Sequence, residues 1–315
     1  MKGFQRILFL CILGTYLVIL AGAVVRGTGS GLGCPDWPRC FGQWVPPMDI
    51  SELPENYKEI YKISGKTIAD FDPFKTWTEY INRLLGVVLG FFMIILFGLS
   101  FKVKDYDRSL PWFTAGLLLL IIVQGGVGAL VVSTHLKPYI ITIHMFLALL
   151  LLFGLLYLSK YCRDLQDTTI VQPVDTKALL LTRILVASTF VQIMMGTQVR
   201  QSVDHLMRDT QTATAETVMD QISAIFYVHR SFTLVIVGLF LYLLFYLQQI
   251  RYNRSSFFLC LSAFFCVCGN IVSGMTLNYM GFPASFQPPH LFFGVMSICL
   301  LYKLSLNARG TLLDD

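Results

Sequence analysis

Phe226-Tyr227-Val228-His229-Arg230 opens one long apolar run, and Glu79-Tyr80-Ile81-Asn82-Arg83, 147 positions earlier, opens another. Aligned on their arginines, the two stretches set Asn82 opposite His229. A second pair agrees: His144 and His290, 146 positions apart, each sit early in an apolar run. Gln124 and Gly128 match Asn270 and Gly274 at the same offset of 146. The chain reads as a duplicated unit with two histidine positions per copy, and only the second copy keeps both.

The 315 residues are 55% hydrophobic and only 14% charged. A soluble protein carries roughly a quarter charged residues, so this composition is that of an integral membrane protein. Crossing a hydrocarbon core takes about 20 residues of helix. Stretches of that kind fall near 7–25, 80–101, 111–132, 138–159, 178–198, 223–247, 256–277 and 288–306. The apolar stretch of the first is too long for a removable signal peptide. The expected fold is an all-α integral membrane protein with eight transmembrane helices in two pseudo-symmetric four-helix bundles. Four spans per copy is an even number, so both copies insert with one polarity, a parallel repeat. The N-terminal bundle would occupy 1–165, with a long outer loop at 26–78, and the C-terminal bundle 166–315, with 160–177 as linker. Gly-Ala-Val-Val-Arg (22–26) and Gly-Thr-Gln-Val-Arg (196–200) precede the first outer loop of each copy. The charged, proline-containing 46–75 stretch is expected to fold as short helices over the outer face.

Lys and Arg in short loops set orientation. Lys2, Arg6, Lys102, Lys104, Arg108, Lys160, Arg163, Lys177, Arg251 and Arg254 lie on one side, against Lys137, Arg200 and Arg208 on the other. Both termini are therefore expected in the cytoplasm. The net charge of +5 is this topological bias, with no basic cluster dense enough for nucleic acid.

Ionisable residues inside a membrane usually face a bundle interior or a cavity. His229 and His290 fall at equivalent heights on two inward-running helices, near the outer leaflet. Facing helices of a bundle supply the two axial nitrogens of a haem iron; the competing reading is a hydrogen bond from each to a neighbouring helix. His144 suits a five-coordinate haem iron or no metal. Asn82 is a poor iron ligand, so an iron there would keep the open position that oxygen chemistry needs. The competing reading has the first copy without haem and Asn82 as helix glue. Glu79 shares a helix face with Asn82: a base or electrostatic partner beside a substrate, or an acid favoured by a helix N-terminus. Arg83 and Arg230 would suit haem propionates or snorkel to the interface. Cys34 and Cys40 lie in Thr28-Gly29-Ser30-Gly31-Leu32-Gly33-Cys34-Pro35-Asp36-Trp37-Pro38-Arg39-Cys40. On an oxidising outer side a disulfide is the default, either a structural staple or a redox-labile bond. The other six cysteines read as apolar packing, Gly125 to Gly128 as close helix packing, and His135 and His205 as surface residues.

The Cys-Pro-Asp-Trp-Pro-x-Cys loop, the Glu-Tyr-x-x-Arg start of the second span and the paired histidines of a 4+4 repeat together resemble the haem A synthase family, over essentially the whole chain. The resemblance implies a membrane haem-dependent oxidoreductase that converts the C8 methyl of haem O to a formyl group for the cofactor of cytochrome oxidase. It implies haem b, with its iron held by His229 and His290, and a substrate haem O pocket around His144 with Glu79 as the key carboxylate. It also implies a redox-active Cys34/Cys40 pair. The commoner Glu-x-x-His of the second span reads Glu79-x-x-Asn82 here, and the second outer loop lacks cysteine. Expected partners are haem O delivered by a haem O synthase, membrane lipid and an electron donor that the sequence does not identify; the fold is compatible with a homo-oligomer. The expected location is a bacterial cytoplasmic membrane. Two other classes compete: a membrane cytochrome b that only transfers electrons, for example from quinol, and a transporter.

Overall fold

The computed structural model describes residues 1–166, 175–209 and 224–307. Its helices are α1 (Lys2–Gly27), a short α2 (Tyr57–Ile60), α3 (Pro73–Ser100), α4 (Leu110–Ser133), α5 (Pro138–Asp164), α6 (Thr176–Asp209), α7 (Ala224–Gln249), α8 (Arg254–Tyr279) and α9 (Gln287–Asn307). All but α2 are long and apolar enough to cross a membrane, which makes eight spans among the described residues. Each overlaps one of the eight apolar stretches of the sequence, and α6 runs on through 199–209, which was expected as outer loop. Residues 167–174 of the expected linker lie outside the described residues. The chain divides into two compact units, Met1–Leu155 and Leu156–Asp315.

The distribution of side chains suits a lipid surround. Phe91, Trp112, Leu119, Ile122, Leu234, Phe245 and Phe265 are exposed, whereas Thr15, Thr76, Glu79, Thr114, Thr182, Gln192 and Ser273 are buried. Water would reverse that preference, and hydrocarbon does not. Helix α1 buries Phe4, Leu8, Cys11 and Thr15, one stripe at helical spacing. Gly14 on the same helix meets the Leu89 side chain of α3, 3.2 Å from where a Cβ would stand.

Helix α3 starts seven residues before the apolar run that announces it. The Asp72 side chain accepts the Lys75 amide, and Pro73 takes the first helical position, where its missing N–H costs nothing and its fixed φ suits the helix. Glu79 is therefore not at a helix end, and the macrodipole does not account for it.

The loop between α1 and α3 is a small folded body. A 3-10 turn at Ile50–Glu52 is closed by a reciprocal cap: Asp49 accepts the Ser51 amide, and Glu52 accepts the Asp49 amide. Cys34, Cys40, Phe41, Leu53, Tyr57, Ile63 and Ile68 form its core. Phe41 sits edge-on to Tyr57, Tyr61 and Phe71. The Asp36 carboxylate accepts the Phe41 and Gly42 amides at 2.6 and 2.8 Å, which closes the chain after the disulfide. Phe41 and Gly42 both have positive φ, and a Cβ at Gly42 would lie 2.8 Å from the Tyr61 hydroxyl, so the tight turn needs glycine there.

In the second unit, Leu185, Ile236, Phe240, Leu243, Cys260, Ala263 and Leu301 form the core between α6, α7, α8 and α9. Gly269 lets α8 approach the Phe293 ring of α9, at 3.0 Å from an added Cβ. Helix α9 begins Gln287-Pro288-Pro289-His290. First-turn residues have no intrahelical acceptor for their N–H, so two prolines are tolerated there, and His290 follows at once.

Candidate functional site

In the second unit His229 on α7 faces His290 on α9. The ring centroids are 6.5 Å apart and the planes cross at 69°. Two metal–imidazole bonds of about 2 Å, plus the distance from each nitrogen to its ring centre, separate two rings on one metal by about 6 Å. The observed spacing admits a single metal atom between the rings. His290 Nδ1 lies 2.9 Å from the Asn270 carbonyl and 3.2 Å from the Ser273 hydroxyl. A ring that donates Nδ1–H to a carbonyl presents the Nε2 lone pair, the arrangement of histidines that bind metal. His229 Nδ1 is buried and has no hydrogen-bond partner among the described residues. Arg230, the next residue on α7, is exposed.

Each of the three histidines is gripped from the preceding helix. Gln192 on α6 donates to the His229 carbonyl at 2.9 Å and to the Thr233 hydroxyl at 2.8 Å. Gln124 on α4 donates to the His144 carbonyl at 3.0 Å. Asn270 on α8 donates to the His290 carbonyl. Four residues after each amide comes a glycine against the imidazole: a Cβ at Gly196, Gly128 or Gly274 would stand 3.3, 3.3 or 2.9 Å from Cε1 of His229, His144 or His290. Gln124 and Gly128 pair with Asn270 and Gly274 in the repeat, and Gly196 with Gly22, whereas Gln192 has no amide counterpart and was missed. The same four-residue spacing before a histidine-bearing span was the signal for it.

The first unit differs at its fourth position. Gly22 on α1 stands 3.9 Å, as an added Cβ, from Asn82 Oδ1, which is buried without a partner among the described residues. Four residues before Gly22 is Val18, which has no amide to donate. The imidazole and its clamp are missing together. His144 keeps both, and its Nδ1 is buried without a partner among the described residues.

Glu79, Arg83 and the two loop cysteines form one bonded cluster. Cys34 and Cys40 are buried and joined by a disulfide, S–S 2.02 Å. The Cys34 amide donates to Glu79 Oε2 at 3.0 Å, and Thr76 donates its hydroxyl to the Gly33 carbonyl at 3.0 Å. Arg83 Nε and Nη2 donate to Glu79 Oε1. Its Nη1 donates to the Asp36 and Arg39 carbonyls, and Nη2 also to that of Cys34. Thr76, Glu79 and Arg83 recur at helical spacing, one face of α3 laid against the disulfide loop. Arg83, expected against haem propionates or snorkelling to the interface, here has all five of its N–H donors on Glu79 and the loop.

The COX15-CtaA family, described as cytochrome oxidase assembly proteins, matches residues 5–302. The chain is 34% identical over 185 residues to the heme A synthase of Shewanella oneidensis, covering 58% of this chain and 52% of that protein. It is 35% identical over 153 residues to the heme A synthase of Nitrosospira multiformis, covering 45% and 43%. It is 30% identical over 207 residues to that of Methylorubrum extorquens, covering 61% and 53%. The chain thus spans about half the length of the curated relatives it matches. With a family match that runs from the first span to the last, the chain belongs to the COX15-CtaA family of cytochrome oxidase assembly proteins, that of the haem A synthases its sequence resembles.

Proposed function

We propose that this chain is a haem A synthase, a membrane oxidoreductase that takes the C8 methyl of haem O to the alcohol, then to the gem-diol. These are two successive two-electron oxidations that each add one oxygen atom at the expense of an external oxidant, after which the diol loses water to give the formyl group of haem A. The observation that carries the reading is the neighbouring pair His229 and His290, whose ring centroids are 6.5 Å apart, close to the roughly 6 Å of two imidazoles on one metal. Among the described residues no three His, Cys, Asp or Glu side chains gather as a metal site. Two imidazoles are few for a bare ion and suit an iron that brings four porphyrin nitrogens of its own.

His229 and His290 would hold haem b, which supplies one-electron transfer when bound, with Arg230 toward its propionates. The first unit would take haem O near His144 and Asn82. There one strong ligand and one poor one suit a substrate that must react, where two strong ligands suit electron transfer. Glu79 would move a proton at the reacting methyl, its carboxylate fixed by Arg83 and the Cys34 amide. The disulfide loop would keep water from that carboxylate, and the Cys34–Cys40 pair is the redox-active element of the reading. The location proposed is a bacterial cytoplasmic membrane with both termini inside and the haem sites toward the outer leaflet. Haem O would come from a haem O synthase.

Purified full-length protein should show a reduced b-type spectrum, and His229→Ala and His290→Ala should each abolish it. A host that makes haem O should accumulate haem A when it expresses the chain. A b-type spectrum without haem A would leave an electron-transferring cytochrome b; no bound pigment at all would sink both readings.

A further inference from the structure

The amide and glycine that precede each histidine point to a device for aiming imidazoles, and this inference rests on the haem reading above. In an α-helix the carbonyls point toward the C-terminus and the Cα–Cβ bonds tilt toward the N-terminus. A histidine therefore sends its backbone oxygen and its ring in opposite directions along the helix axis. A neighbouring antiparallel helix meets both if it offers a donor at one level and free space about 6 Å, or four residues, further on. Helices α4 and α5, and α8 and α9, are antiparallel neighbours joined by short turns. Each of these pairs, and α6 with α7, carries that arrangement. Gln124, Gln192 and Asn270 bond the histidine carbonyls, and Gly128, Gly196 and Gly274 receive the rings.

Helix geometry makes the two halves of the device interdependent. The amide fixes how far one helix is slid along the other. Given that register, only glycine leaves the ring its place: a Cβ at Gly274 would stand 2.9 Å from His290 Cε1, closer than real Cβ atoms approach. At Asn270 the same residue acts twice, since its backbone carbonyl also takes the His290 Nδ1–H. The fourth position is the internal control. Gly22 persists beside Asn82, but Val18 stands where an amide would be, as expected if the amide serves the imidazole and not the helix pair as such.

We propose that Gln192 and Asn270, with Gly196 and Gly274, are positioning residues that set the height and ring plane of His229 and His290 for one haem iron, and that Gln124 with Gly128 do the same for His144 toward the substrate haem. The test uses full-length protein in detergent with its haem content, low-spin EPR signal and midpoint potential as readouts, beside its elution on size exclusion. Asn270→Leu and Gln192→Met should elute as wild type yet hold haem about 10- to 100-fold more weakly, with a displaced EPR signal and potential. Asn270→Gln should restore both, because glutamine performs this role at 124 and 192. Gly274→Ala should cost more haem than Gly196→Ala. Wild-type EPR signal, potential and haem retention in Asn270→Leu and Gln192→Met would overturn the assignment while leaving the haem reading intact. Should the wild-type chain hold no haem, the haem reading fails by itself. The positioning role is then decided by the His290 imidazole nitrogen resonances in ¹⁵N-histidine protein: movement in Asn270→Leu but not in Asn270→Gln upholds it, and no movement in either ends it.

Discussion

Arg83 grips Glu79 four residues before it, Nη2 to Oε1 at 2.6 Å, with 13% and 5% of the two side chains exposed. The pair is local in the helix, but its purpose is distant in sequence. The second carboxylate oxygen takes the Cys34 amide 45 positions away, and the remaining guanidinium donors take the Cys34, Asp36 and Arg39 carbonyls. One ion pair on α3 thereby ties the disulfide loop to the membrane-spanning part of the first unit. The carboxylate proposed to handle a proton and the disulfide proposed to be redox-active are two ends of one hydrogen-bonded body.

Removing the guanidinium should show how much that tie holds. Arg83→Met strands a buried carboxylate, a change that costs about 3–5 kcal/mol in buried pairs. Melting temperature in detergent should fall, and the buried Cys34–Cys40 bond should become accessible to mild reductant and thiol alkylation. Arg83→Lys keeps the charge but replaces a planar five-donor fork by a point charge with three donors, so it should fall between. Wild-type melting and reduction rates in Arg83→Met would contradict the hydrogen-bond assignment.

Backbone contact at the same seam predicts a contrast between two glycines. A Cβ at Gly33 would lie 2.5 Å from the Lys75 carbonyl oxygen and 2.8 Å from the Thr76 amide nitrogen, neither of which can move without the helix. A Cβ at Gly154 would also lie 2.5 Å from its neighbour, but that neighbour is the tip of the Leu117 side chain. Gly33→Ala should cost about 1–3 kcal/mol, the range for overpacking, and loosen the disulfide loop. Gly154→Ala should cost clearly less, because a leucine can change rotamer. Equal losses of melting temperature would mean that the loop yields as easily as a side chain.

These features mark where sequence reading stopped. The spans were legible because hydropathy over twenty residues is a strong signal, and His229 and His290 were legible because each falls early in an apolar run, at a position the repeat marks in both copies. The start of α3 was not, since Asp72 and Pro73 extend it through Lys75, Thr76 and Thr78, residues too polar to count as span. The partners of Arg83 were not, because four acceptors spread from position 34 to 79 leave no periodic trace, and a charged residue beside a haem site suggested propionates or the membrane interface. Gln192 was within reach: its spacing to Gly196 repeats that of Gln124 to Gly128, but its counterpart in the first copy is Val18, so the repeat offered no matching amide.

Outside the membrane, two loop carboxylates give a pH dependence with a definite sign. The Ser51 backbone amide, and then its side chain, hold the Asp49 carboxyl below the usual carboxylate range, and Lys58 does the same for Asp70. Carboxylates whose folded value is depressed support the fold fully above their unfolded pKa of about 3.9 and lose that support as pH falls through the folded value. The Ser51 amide resonance should thus hold its position from pH 7 to about 4 and move below it. Asp49→Ala should abolish that titration, and a Ser51 resonance that moves at pH 5 or 6 would reverse the sign.

Glu79 is open to two readings that a single isosteric change separates. If it only staples the loop, Glu79→Gln should be nearly silent in function, because the glutamine carbonyl oxygen can still accept the two Arg83 donors, with only the bond from the Cys34 amide lost. If it moves a proton at the haem O methyl, the amide cannot replace it. Conversion should then fall by on the order of 100-fold or more, the usual contribution of a positioned acid or base. The second outcome is expected, with the Cys34–Cys40 bond still resistant to reductant and the b-type spectrum of the second unit unchanged. Glu79→Ala should lose conversion as well, and additionally release the loop. Haem A formation near the wild-type rate in Glu79→Gln would reduce the carboxylate to a structural part of the disulfide loop and leave the proton step without a residue in this unit.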